Sequence, residues 1–312
     1  MAERGSGKRE MPARITEHAW ALGTDEHLCY LVAGSRESVL VEGGVSAVVP
    51  VVFRQMAGVP GAPPLRRLIA THSHADHSTG LLAMKKENPG LLLCATEETG
   101  RVLANDKIRA RLLAEDEFYS ELLLARGEIA AHPGPLSVSS VRLDRTLHDG
   151  EVLDLGGASV IMVETPGHAP GALSAWVLPD RLLLLSDSAG FSDDGKRIYP
   201  MFFQDLGLYL SSLERLASLA PEALGLGHHL IVEGRGACAS FLKAAGAEAL
   251  KMARDMKSRE DAGEDRDAVA KAWADRLREY PFFAEFPEDS LMSYARLLCR
   301  RSVEEAVGLP AY

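Results

Sequence analysis

One stretch, Thr71-His72-Ser73-His74-Ala75-Asp76-His77, constrains this chain more than any other. Three imidazoles and a carboxylate crowd in after residues 65–71, a short apolar, β-branched run that reads as a buried strand. Ser78-Thr79-Gly80 follows and reads as the start of a helix. A fold that accepts this sequence must end a strand in a loop whose polar side chains share one small volume. Alternate residues of an extended loop point the same way, so His72 and His74 converge on one cation while Asp76 and His77 fall to its side. That spacing suits two adjacent metals. Neutral imidazole with carboxylate favours zinc, iron or manganese, whereas magnesium and calcium sites are mostly oxygen. The competing reading is a solvated loop rich in histidine by chance, and further ligand-type residues elsewhere weigh against it.

The chain has 312 residues, 46% of them hydrophobic, enough for a buried core in one large domain or two small ones. A net charge of -10 argues against a phosphate-binding surface for nucleic acid. Cys29, Cys94, Cys238 and Cys299 lie far apart with no C-x-x-C, so neither a disulfide framework nor a thiolate zinc site is expected, and a reducing cytoplasm fits. Residues 1–10 are charged and glycine-bearing, which reads as neither signal peptide nor anchor, and a loose tail is expected over 1–13. The longest apolar runs, such as 45–53 and 182–185, are too short to cross a bilayer, so no membrane association is expected.

Taken in order, residues 15–22, 28–33 and 38–41 read as an antiparallel meander. Residues 46–56 stay open: the valines favour a strand, whereas the length and the Pro60 to Pro64 breaker suit a short helix. A strand over 91–95 and one long helix over 96–126 come after the helix that Pro89-Gly90 stops. Strands are expected at 138–147, 152–155 and 159–164, then a hairpin of 172–178 and 181–186 across Pro179-Asp180. The last third turns helical, at 237–257, 266–278 and 287–307. Phe282, Phe283 and Phe286 in that part read either as core anchors or as an aromatic wall over a pocket. The expected organisation is a tail over 1–13, a main domain over 14–235 and a helical extension over 236–312.

Three more stretches carry ligand-type residues at strand ends: Thr165-Pro166-Gly167-His168, Leu185-Ser186-Asp187 and Gly227-His228-His229. The order H-x-H-x-D-H, then G-H, then an aspartate, then G-H resembles the metallo-β-lactamase-fold hydrolase superfamily, over residues 15–234. The resemblance implies an α/β fold, an αβ/βα sandwich with the C-terminal helices appended, and two divalent metal ions in a cleft at the sheet edges. It implies that His72, His74 and His168 hold the first metal and Asp76, His77 and His228 the second, with Asp187 bridging them beside a water or hydroxide. The family's last ligand directly follows a glycine, which favours His228 over His229. True β-lactamases of this fold usually carry cysteine where Asp187 stands, and flavo-diiron proteins carry glutamate where His74 stands, so neither branch fits. Residues 40–46, 197–205 and 210–216 and the helical tail are similar to the quinolone signal response thioesterases of the superfamily. These act on an aroylacetyl-coenzyme A and also work through a transcription-factor partner.

The expected function is therefore a dinuclear metallohydrolase cleaving a small-molecule acyl thioester, with Asp76 orienting the hydroxide that bound metals make available. Tyr199, Phe202 and Phe203 are the expected pocket lining, capped by the helical tail. A thiolate, its acid near roughly 8.5, departs without a proton donor, whereas an amine generally needs one, and no spare histidine stands beside the ligand motifs. His18, His27, His132 and His148 read as structural or surface residues, and Asp193-Asp194-Gly195 as a turn. The opposing readings are a regulatory protein with a structural metal site, or a phosphodiesterase. A homodimer or a regulatory protein partner is left open.

Overall fold

Residues 28–33 are apolar at every position, and a strand of that composition is stable only if both its faces are covered. The computed structural model, which describes residues 10–305, covers them from two sides. Leu28, Tyr30 and Val32 point into a core between two sheets, while Cys29 and Leu31 point the other way into a core shared with the helices. The same alternation of period two runs through residues 182–185. Two sheets thus pack face to face, with helices outside them.

The first sheet is built from β1 (Ala13–Arg14), β2 (Ala19–Gly23), β3 (Leu28–Ala33) and β4 (Ser38–Val41). Helix α1 (Val49–Ala57) leads to β5 (Leu65–Ile69), α2 (Ala75–Glu87) and β6 (Leu92–Ala95), and α3 (Glu97–Ala104) and α4 (Asp106–Ala125) lead to β7 (Arg145–Thr146). Its strands lie in sequence order, antiparallel from β1 to β4 and parallel from β4 to β7. The second sheet contains β8 (Val152–Asp154), β9 (Ser159–Glu164), β10 (Leu173–Leu178) and β11 (Leu182–Ser186), then, after α5 (Leu206–Ser218), β12 (Ala223–Leu226) and β13 (Ile231–Glu233). Here only β11 and β12 pair in parallel. The last described elements are α6 (Arg235–Asp261), α7 (Arg266–Arg278) and α8 (Glu288–Glu305), with a 3-10 turn at Pro281–Phe283 before α8.

Several boundaries differ from expectation for identifiable reasons. Residues 15–18 turn rather than extend, with the Ile15 and Thr16 amides both donating to Ala19 O. Residues 46–56 take the helical option: Pro50 sits in the first turn of α1, where its missing N–H costs nothing. The expected helix over 96–126 is two helices, because Asn105 leaves helical geometry and its side chain accepts from the Lys107 and Ile108 amides as the cap of α4. Most of 138–147 is irregular, with only Arg145–Thr146 paired. Residues 1–9 of the expected tail and the last two residues of the expected 287–307 helix lie outside the described residues.

Buried Asp116 of α4 accepts from Ser46 N at 2.7 Å and from the hydroxyls of Ser46 and Thr79. It thereby ties α4 to α2, the helix that follows the histidine motif. At the other end of α4, Arg126 bonds Glu26 at 2.7 Å, Glu285 at 3.1 Å and Pro281 O at 3.1 Å, which locks the turn before α8 against the sandwich. No described helix is long and apolar enough to cross a membrane.

Candidate metal centre

Strand β5 stops at Ile69 because the chain must leave the sheet to fold into α2, and α2 begins at Ala75, one turn earlier than Ser78 would have it. His72 and His74 are therefore on the loop, while Asp76 and His77 sit in the first helical turn. The Nε2 atoms of His72 and His168 lie 3.0 and 3.1 Å from His74 Nδ1. His168 arrives from the loop after β9, where Gly167 has φ 126° and a Cβ would fall 2.3 Å from the Tyr209 backbone. Asp187, directly after β11, brings Oδ2 to 3.4 Å from His168 Nε2 and 3.9 Å from His72 Nε2.

Beside this group, the Nε2 atoms of His77 and His228 stand 3.3 Å apart, with Asp76 Oδ2 at 3.5 and 3.4 Å from them. Asp187 reaches here as well, Oδ2 to 3.1 Å from His77 Nε2 and Oδ1 to 3.7 Å from His228 Nε2. The two sets, His72, His74, His168 and Asp187, and Asp76, His77 and His228, each gather their ligand atoms within 4.8 Å. His229 points away, with Nδ1 3.2 Å from Asp25 and Nε2 3.5 Å from Glu26. Gly227 is required for closeness: a Cβ there would lie 2.6 Å from His77 Cε1 and 2.9 Å from Asp187 Oδ1.

Each of these two groups of residues could hold a metal ion. Imidazole nitrogens that face one another at such distances cannot all donate, and Asp187 Oδ1 is buried with no hydrogen-bond partner among the described residues. The donor set is the nitrogen-and-carboxylate type of borderline cations. The outward ring nitrogens are held too. His168 Nδ1 donates to Met201 O at 2.7 Å and His228 Nδ1 to Glu26 O at 2.5 Å, while His77 Nδ1 meets Glu42 Oε2 at 2.5 Å. Each bond fixes the ring with Nε2 facing the cluster.

Protonation follows from burial and charge. Burial, with the neighbouring imidazoles, pushes His72 well below its ordinary value, and burial with His168 lowers His74 to about 3. His77 goes the opposite way: burial opposes its charge, but Asp187, Asp76 and Glu42 raise it well above 6.5. Burial would raise Asp187, yet His77 and the other imidazoles pull it down to about 2. Asp76 is likewise held low, with His77 and His228 overcoming its burial.

The clusters form the floor of a cavity of about 630 Å³, into which Ser73, His74, Asp76, His168 and Asp187 face. Phe203 lines it, together with Phe282, Phe283 and Tyr294 from the helical extension. Tyr199 and Phe202 are in the core beside it, against Tyr280 and Tyr209 respectively, and do not line it. Phe282 and Phe283 are both buried and on the cavity wall, so both readings of them hold.

A model of the Metallo-beta-lactamase superfamily matches residues 22–228. The chain belongs to that superfamily. It is 27% identical to the acyl-coenzyme A thioesterase MBLAC2 of Gallus gallus over 207 residues, 62% of this chain and 68% of that one. It is 35% identical to a hydroxyacylglutathione hydrolase of Acidiphilium cryptum over 88 residues, 28% of this chain and 34% of that enzyme's length. Among solved structures, a metallo-beta-lactamase family protein of Thermus thermophilus superposes with a TM-score of 0.61 at 18% identity, covering 95% of each chain, a likeness of fold.

Glu42 and the carbonyls of Glu26 and Met201 escaped the sequence reading. Backbone acceptors carry no residue signal. Glu42 does: it is an acid that ends the apolar strand β4, whose parallel neighbour β5 leads into the histidine loop. His27, read as structural, packs edge-on to His228 at 5.7 Å with neither ring nitrogen hydrogen-bonded among the described residues.

Proposed function

We propose that the protein is a dinuclear metallohydrolase that cleaves acyl thioesters. The carrying observation is that Asp187 stands within 4 Å of imidazole nitrogens from both clusters at the floor of an aromatic-walled cavity. His72, His74 and His168 are assigned to one ion, Asp76, His77 and His228 to the other, and Asp187 to both. Two ions of the zinc, iron or manganese type held there supply Lewis acidity and make hydroxide available near neutral pH. Asp76, on the cavity floor with its Oδ2 between His77 and His228, orients the attacking oxygen. Phe203, Phe282 and Phe283 exclude water and seat the acyl group.

The leaving group decides the substrate class. Few groups on the cavity wall outside the clusters can protonate an amine: burial makes the Tyr119 and Tyr294 hydroxyls weaker acids, which leaves Glu115, raised by burial and paired with Arg111 at 2.8 Å, as the one carboxyl there. A thiolate needs no such donor. The two curated relatives are named for acyl derivatives of thiols, which supports the same reading. All four cysteines are free, three of them buried, which suits the reducing cytoplasm we assign to the protein. The test is kcat/KM of metal-loaded protein for a benzoyl thioester, the matching amide and bis(p-nitrophenyl) phosphate. The thioester should lead, and a phosphodiester in first place sinks the assignment.

A further inference from the structure

The matched superfamily residues end at 228, yet one wall of the cavity is made by α8, far beyond them. Ser293, Leu297, Arg300 and Arg301 recur at helical spacing and face the cavity, with Arg296 beside them and Arg111 of α4 also lining it. A second cavity of about 300 Å³ shares Arg296 and Arg300 with the first, so these two side chains stand where one depression passes into the next.

The charge of this region is anomalous. The chain carries -10 overall, but four guanidinium groups line the first cavity against one carboxylate, Glu115, outside the metal clusters. In the second cavity each acid is engaged: Glu260 by Arg266, Asp267 by Arg296, and Glu304 by Arg301. The Arg300 guanidinium has no hydrogen bond or ion pair to any described residue, and it lies four residues from Arg296 and next to Arg301. Like charges at that spacing disfavour a helix. The ion pairs of Arg111 and Arg296 are largely exposed, so they are weak and exchange readily for a better anion, while the half-buried Arg301 holds Phe203 O through Nε at 3.1 Å and meets Glu304 through Nη1.

We infer that Arg296, Arg300 and Arg301 of α8, with Arg111 of α4, form an anion subsite that holds the phosphate groups of the substrate's thiol half. The inference rests on the thioesterase reading for the word substrate, and on the arginines alone for the anion. A guanidinium fork matches phosphate oxygens two at a time. The arginines line the same cavity as His74, Asp76, His168 and Asp187, which puts anion recognition and the candidate metal ligands in one space. A peptide thiol with two carboxylates and one ammonium group would gain less, because its net charge is smaller and the same arginines repel the cation. The thiol carrier is therefore of the nucleotide-diphosphate type. Its many charges also need a local positive field to approach a protein of net negative charge.

The test compares the benzoyl thioesters of coenzyme A, glutathione and N-acetylcysteamine on metal-loaded full-length protein. Wild type is set beside Arg300→Gln, the double variant R296Q/R300Q and Arg300→Lys. Free coenzyme A binding is measured by calorimetry at about 50 and about 300 mM salt. The expected result is a rise in KM for the coenzyme A thioester of about tenfold in the double variant, with kcat little changed and the N-acetylcysteamine thioester unaffected. Arg300→Lys should fall between wild type and Arg300→Gln, and salt should weaken coenzyme A binding to wild type more than to the double variant. Hydrolysis of all three thioesters with equal KM, or coenzyme A binding indifferent to the arginines, overturns the subsite and leaves the thioesterase reading standing. Arginine-dependent coenzyme A binding without any turnover supports the subsite and removes the thioesterase reading. Neither binding nor turnover overturns both.

Discussion

Replacing Glu42 by glutamine tests whether the partners behind the ligands matter as much as the ligands. Glu42 Oε2 is 2.5 Å from His77 Nδ1, and the two side chains are only 2% and 1% exposed, so water cannot take over the contact. Glutamine keeps an acceptor oxygen, and with it the orientation of the ring, but removes the negative charge that makes His77 a stronger donor to a metal. Loss of such a partner costs roughly 10- to 100-fold in metal affinity, or about 1.4 to 2.8 kcal/mol. The loss should fall on the set Asp76, His77 and His228, because Glu42 touches none of the histidines of the other set. Competition against a chelator of known affinity, resolved into two binding steps, reads this directly. If both steps keep their wild-type affinity in Glu42→Gln, the carboxylate is a packing feature and the reasoning about outward ring nitrogens fails.

Three further outcomes follow from the same geometry. Gly227→Ala should lose metal even though it replaces no ligand, since its Cβ would fall 2.6 Å from His77 Cε1; full metal content measured by elemental analysis would contradict this. Phe203→Ala should raise KM for a benzoyl thioester by about tenfold while an acetyl thioester changes little, because only the bulky acyl group needs that wall. In metal-free protein, His27 and His74 are both held to about 3, below the 6.5 of an unfolded chain. The unfolded state then binds more protons, and stability falls as pH drops from about 6.5 towards about 3. Asp187, at about 2 against an ordinary 3.8, adds its loss only below 3.8. Denaturant midpoints at about pH 6.5 and about pH 4.5 check the sign, and an equal or higher midpoint at the lower pH refutes it.

Much of this was legible because the chemistry is local in sequence. Four of the seven candidate ligands fall within residues 72–77, and His168, Asp187 and His228 each lie within four residues of a strand's end, so the strand pattern carries them to one edge. His228 was separable from His229 by its glycine, and the structure turns the two rings in opposite directions. What stayed hidden depends on distant pairing. The break at Asn105 is a capping decision in which one polar side chain overrides a longer helical pattern, and α2 starts at Ala75 without any side-chain cap to announce it. The cavity walls come from α4 and α8, nearly two hundred residues apart, and no periodicity links Arg111 to Arg300. Tyr199 and Phe202 were aromatic in a suggestive stretch, yet aromatic side chains there serve the core as well as a pocket, and only Phe203 of the three faces the cavity.

The central claim is that both metal sets and Asp187 act together on a thioester. The direct measurement is to titrate metal-free protein with zinc, iron(II) or manganese, following bound metal and hydrolysis of a benzoyl thioester in the same samples, for wild type and Asp187→Ala. The account predicts that wild type reaches full activity only as a second equivalent binds, and that Asp187→Ala binds both ions weakly and hydrolyses nothing measurable. Activity complete at one equivalent, or an Asp187→Ala protein that turns over thioester at the wild-type rate, would contradict it.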